Sequence, residues 1–178
     1  MGVVHAESLE PNSKEFRGVS ADAPPGFTVT VRSRGIGEGE ECFRVARRLL
    51  FSWQVQLGSG FRPIEVPPEV RVGASSVFTI PFGPLAPQVA CRVFEVIDEP
   101  RRAEFSHVAL EGHPQAGWES FGVMHEPDGR VRLTVRVVWR PAVWWMKAPG
   151  PLTGEALALV LRRNLRSLDV GLRAARSS

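Results

Sequence analysis

Three side chains able to carry acid–base chemistry lie close together in the middle of the chain: His107, His113 and Glu119. An imidazole titrates near neutrality and a carboxylate can act beside it, so the trio is equipped to move protons on a small organic substrate. The same groups would also serve as polar anchors for a bound molecule. Each has a plain structural alternative: His107 as a satisfied interior histidine, His113 as a turn residue held by Gly112 and Pro114, Glu119 as a carboxylate organising the 111–117 loop. The chain has no Ser-His-Asp elbow, no HExxH helix and no CxxC pair. Cys42 and Cys91 have no partner at metal-ligand spacing and read as small buried hydrophobes. No metal and no cofactor is implied. Gly35-Ile36-Gly37-Glu38-Gly39 precedes a helical pattern, but Glu38, Glu40 and Glu41 would repel a phosphate and the lysine of a phosphate loop is missing.

The elements that must position these residues follow from periodicity. Phe27 to Arg32 alternates as a half-buried strand, and a helix is expected from about Glu40 to Gln54, with Cys42, Ala46, Leu49 and Trp53 along one face. Loop is expected over 58–68, then strands near 69–73, 76–82, 89–98, 103–110, 118–126 and 130–139. Pro127-Asp128-Gly129 has the chemistry of a three-residue hairpin loop. That loop pairs Glu126 with Arg130, Val123 with Leu133, Phe121 with Val135 and Glu119 with Val137. Because strand side chains alternate, Glu119 then shares the apolar face of Phe121, Val123, Val131, Leu133, Val135, Val137 and Trp139. The neighbouring strand adds Phe105, His107 and Ala109 to that face, with a register left open by its seven-residue loop. A helix from about Thr153 to Val170, apolar at Leu157, Val160, Leu161, Leu165 and Leu168, is the natural cover. The fold class expected is α+β: a curved antiparallel sheet wrapped around a long C-terminal helix, with one earlier helix. Residues 1–14 read as a mobile tail, 15–172 as a single domain and 173–178 as a C-terminal tail.

The run Phe105-Ser106-His107-Val108-Ala109-Leu110-Glu111-Gly112-His113-Pro114-Gln115-Ala116-Gly117-Trp118-Glu119-Ser120-Phe121 resembles the signature F-x-Y-G-T-L-x-G-H-P-x-x-G-E-E-x-F. That signature belongs to the uncharacterised bacterial and plant family known as domain of unknown function nineteen-ninety. Gly37, Gly39, Phe43, Ala46, Trp53 and Arg140-Pro141-Ala142 support the match, which spans roughly residues 15–172. The resemblance implies a helix-grip fold of the START/Bet v 1-like kind and no particular activity. His107 stands where the family has tyrosine, Val108-Ala109 where it has Gly-Thr, and Trp118 where it has its first glutamate.

Composition narrows the function classes. In 178 residues, 43% of them hydrophobic, there is material for one core without metal or disulfide staples. The net charge of +3 rests on 20 arginines against two lysines and is spread along the chain, so no nucleic-acid partner is expected. The apolar run Ala142–Met146 is far too short to span a bilayer, and a cytoplasmic protein with no integral membrane segment is expected. Three readings stay open. The first is a module binding a small hydrophobic or amphipathic ligand through His107, His113, Glu119, Phe121 and Trp139. The second is an enzyme of hydrolase, isomerase or cyclase type using His107, His113 and Glu119. The third is a structural or interaction domain presenting residues such as Trp144 or Trp145. Oligomeric state is not legible.

Overall fold

The computed structural model describes residues 6–14, 16, 23–81, 86–143, 146 and 152–177. Seven strands form one curved antiparallel sheet: β1 (Thr28–Glu38), β2 (Arg62–Glu65), β3 (Ser75–Thr79), β4 (Gln88–Glu99), β5 (Arg102–Ala109), β6 (Gln115–His125) and β7 (Arg130–Pro141). Their order across the sheet is β1-β7-β6-β5-β4-β3-β2. Two helices, α1 (Gly39–Phe51) and α2 (Gln54–Gly58), bridge β1 and β2; α3 (Leu152–Asn164) and α4 (Asp169–Arg176) close the chain. The architecture is the one expected, a sheet around C-terminal helix with earlier helix on the same side.

Strand parity explains the core. Phe121 faces Val135, Val123 faces Leu133 and Glu119 faces Val137, the pairing that the Pro127–Gly129 loop demands. Across the other edge of β6, His107 lies opposite Glu119 and Phe105 opposite Phe121. The inner face therefore carries Phe105, Phe121, Val123, Val131, Leu133, Val135 and Val137, packed against Phe43, Ala46 and Leu50 of α1 and Leu161 of α3. Trp53 is buried at the α1–α2 junction with φ 61, a left-handed turn that aims its ring at Phe78 and Phe105.

Four expectations change. Residues 69–73 are loop, and the edge strand lies at Arg62–Glu65 instead; Pro63 and exposed, polar neighbours hide it from a periodicity search. The closing helix is not continuous to Val170: it stops at Asn164 and resumes at Asp169. The break is held by one local and one tertiary bond: Ser167 Oγ donates to the Asn164 carbonyl (2.7 Å), and Ser59 Oγ donates to Asn164 Oδ1 (2.7 Å). Of the segment read as a tail, residues 6–13 pack on the outer face: Ala6 is fully buried, Pro11 bridges Leu110, and Arg92 donates to the carbonyls of Ala6, Glu7 and Leu9. There they cover a second apolar cluster of Val77, Ala90, Val108, Leu110, Trp118 and Val138, so this part of the outer face is dry. Residues 173–176, placed in a C-terminal tail, belong to α4.

Candidate functional site

Between the inner face and α3 lies a cavity of about 580 Å³. That is the size range of small-molecule sites, which combine apolar walls with a few polar groups. Phe78, Val89, Phe121, Leu157 and Val160 supply wall; Gln56, Ser76, Cys91, His107, His113, Gln115, Glu119 and Asn164 supply the polar atoms. Sequence parity anticipated His107, Glu119 and Phe121 on this surface, and the structure brings them there together with His113. Trp139 is set apart: it borders a separate void of about 10 Å³ beside the cavity and not the cavity itself.

The polar groups converge because neighbouring strands present them at one level. His107 on β5 and Glu119 on β6 are direct cross-strand partners, and His107 Nε2 donates to Glu119 Oε2 at 3.1 Å. Cys91 on β4 pairs with Ala109, one inward position along β5 from His107. His113 enters from the loop between β5 and β6, where its Nδ1 accepts from the Gln115 backbone N–H at 3.0 Å. It is thus both the held turn residue and a cavity-lining ring. Asn12 fixes the loop from outside, donating to Gln115 O at 2.7 Å.

The electrostatics are unusual for so apolar a setting. Burial pushes the Cys91 thiol up, but His107 and His113 outweigh it and bring the thiol down to about 6. Burial disfavours a charged His107, yet Cys91 and Glu119 hold it protonated up to about 10. Burial raises Glu119, and the His107 bond overcomes it, leaving the carboxyl below its ordinary value. Each group thus favours the charged form of its neighbour: the imidazole favours the thiolate and the carboxylate, and they favour the imidazolium. His107 is only 4% exposed, whereas the Glu119 side chain keeps 27% exposure.

One polar group at this surface lacks a protein partner. Both ends of the Gln56 amide, on a residue 3% exposed, make no hydrogen bond. A buried amide without a partner costs on the order of 1–3 kcal/mol, so such groups mark where another molecule completes the bonding. Among the described residues no group of three or more His, Cys, Asp or Glu is arranged to hold a metal ion. Cys91, read from the sequence as a small buried hydrophobe, is the cavity-lining polar group that sequence reasoning did not place here. Its inward parity with Val89 and Val93 was available, but the register shift between Val93 and Glu95 lies between the β4–β5 turn and these residues, so counting back from the turn misplaces Cys91 by one position on β5. Trp144 and Trp145 lie outside the described residues.

Residues 13–167 match the family described as Domain of unknown function (DUF1990). The chain belongs to that family. A UPF0548 protein of Deinococcus radiodurans is 30% identical over 143 residues, covering 75% of this chain and 72% of that one. Among solved structures the chain is similar in fold to ginseng major latex-like protein 151 from Panax ginseng, with TM-score 0.53, 14% identity and coverage of 82% of this chain and 97% of the other. It is similar also to Ara h 8.0201, with TM-score 0.54, 12% identity and coverage of 84% and 99%. An uncharacterised protein from Rhizobium leguminosarum gives TM-score 0.55, 15% identity and coverage of 83% and 95%. The DUF1990 chain thus has a Bet v 1-like helix-grip fold. No helix among its described residues is long and apolar enough to cross a membrane.

Proposed function

We propose that this DUF1990 protein binds a small amphipathic molecule, apolar along most of its length and polar at one end, in the cavity between sheet and α3. The observation that carries this reading is the unpartnered Gln56 amide at the wall of a mostly apolar, ligand-sized space. The apolar body would lie along Phe78, Val89, Phe121 and Val160, and the polar end would meet the Cys91–His107–Glu119 cluster. Two unpaired cysteines suit a reducing, cytoplasmic setting.

Titration with the apolar fluorophore phenylnaphthylamine tests it. Saturable binding is expected, and the double substitution Ala156→Trp, Val160→Trp, one turn apart on the cavity side of α3, should weaken it about tenfold or more, about 1.4 kcal/mol. Unchanged affinity in that variant would show that the fluorophore sits elsewhere.

The enzyme reading keeps one observation in its favour, the His107–Glu119 bond beside the cavity. Its first requirement is that Glu119→Gln stops turnover of any substrate found while the folded signal persists.

A further inference from the structure

The cluster contains more than a pair of hydrogen-bonding anchors. Cys91, His107 and Glu119 sit on three adjacent strands, all facing one cavity, in the order nucleophile, imidazole and orienting carboxylate. We propose that Cys91 is a nucleophilic site that adds reversibly to apolar α,β-unsaturated carbonyl compounds admitted to the cavity. This rests on the binding reading above and specifies the chemistry of what the cavity accepts.

The reaction is balanced by groups present. The Cys91 sulfur forms a bond to the β-carbon of the acceptor, the carbon–carbon π pair moves toward the carbonyl as an enolate, and the His107 imidazolium returns its proton to the α-carbon. A thioether and a saturated carbonyl result, with neutral His107 still bonded to Glu119. Reversal expels the thiolate and reprotonates the ring. No oxidant, reductant or water is consumed.

Three features favour addition over acyl transfer. An acyl intermediate needs free N–H donors beside the sulfur. β4 is flanked by paired strands on both sides, β3 and β5, so its amides serve the ladders. Conjugate addition needs instead a single acid, which His107 supplies. The walls around the thiol select for length and apolarity, and the charged or titratable groups facing it are His107, His113 and Glu119, with Gln56, Ser76 and Asn164 as neutral polar neighbours. The other thiol is an internal control. Cys42 sits on α1 away from this cavity, and burial pushes its thiol up, which suppresses its thiolate at neutral pH.

The test treats the full chain with trans-nonenal and follows intact mass and peptide maps, with nonanol as a chain-matched, non-electrophilic competitor. Expected is one aldehyde added at Cys91 and none at Cys42, slowed by nonanol. The rate should be half-maximal near pH 6, the value to which the thiol is brought down. His107→Gln should slow addition on the order of a hundredfold and move the midpoint toward the ordinary thiol value of 9.0. The wild-type pH profile decides the matter even if that variant folds poorly. Labelling confined to Cys42, or a Cys91 midpoint near that ordinary value, overturns the proposal. Saturable nonanol binding without any Cys91 adduct removes the nucleophile but leaves the binding site. Absence of both removes both.

Discussion

Gly117→Ala is expected to destabilise the protein by about 4 kcal/mol, enough to threaten folding of a domain this size. Gly117 has φ +131, a backbone conformation that L side chains rarely adopt. An added Cβ would lie 1.9 Å from the Val138 carbonyl oxygen and 2.9 Å from its carbon, both backbone atoms of the paired strand β7. Neither can yield without breaking the β6–β7 ladder. Gly129→Ala supplies the comparison, because its φ is +87 yet nothing lies within 4 Å of the new methyl. That substitution should cost only about 1 kcal/mol. Urea unfolding of both variants measures the difference, and equal losses would mean that the close approach at Gly117 is not what requires glycine. The position matters to function as well as to stability, since Gly117 joins the His113 loop to Glu119.

The second large effect concerns the charged cluster. Glu119→Gln should cost about 2 kcal/mol at pH 6 and little above pH 10, because it leaves a buried imidazolium with one fewer compensating charge. His107 is raised from 6.5 to about 10 in the folded protein. Its protonation therefore adds stability that is fully present below pH 6.5 and is lost as pH rises through about 10. Cys91 runs the other way: brought down from 9.0 to about 6, it adds stability fully present above pH 9.0 and lost as pH falls through about 6. Over the overlap the two slopes oppose each other, so wild-type stability should be nearly level between these limits. Glu119 is held below 4.5, and its contribution fades only on further acidification. Urea midpoints of wild type and Glu119→Gln at pH 6 and pH 10.5 check this. A penalty that did not shrink at the higher pH would mean that His107 carries no charge in the folded state.

How much of this was legible depended on whether local rules sufficed. The inward direction of Glu119 follows from one short hairpin, where loop length sets register and register sets face, and those pairings are seen residue for residue. His107 needed the register of β5 on β6 across a longer loop, and only coordinates place it opposite Glu119. Cys91 needed a second register, across the irregularity at Val93–Glu95, so three residues far apart in the chain could not be joined by pattern alone. The break after Asn164 escaped notice for a related reason: the apolar stripe of the closing helix continues through Leu165 and Leu168, while the groups that end it are Ser59 and Ser167. The N-terminal residues look patternless because their partner is not a helix or a strand of their own but the outer face around Trp118 and Val138.

A bound molecule should lie inside the sheet with its polar end at the Cys91–His107–Glu119 wall. Isotope-filtered NOE spectra of the labelled chain saturated with nonanol examine this directly. Contacts from the alkyl chain to Val89, Phe121 and Val160, with a concerted shift of the His107 ring signals, are the predicted result. Contacts confined to exposed residues such as Val72 or Val170, with the His107 signals unmoved, would contradict it.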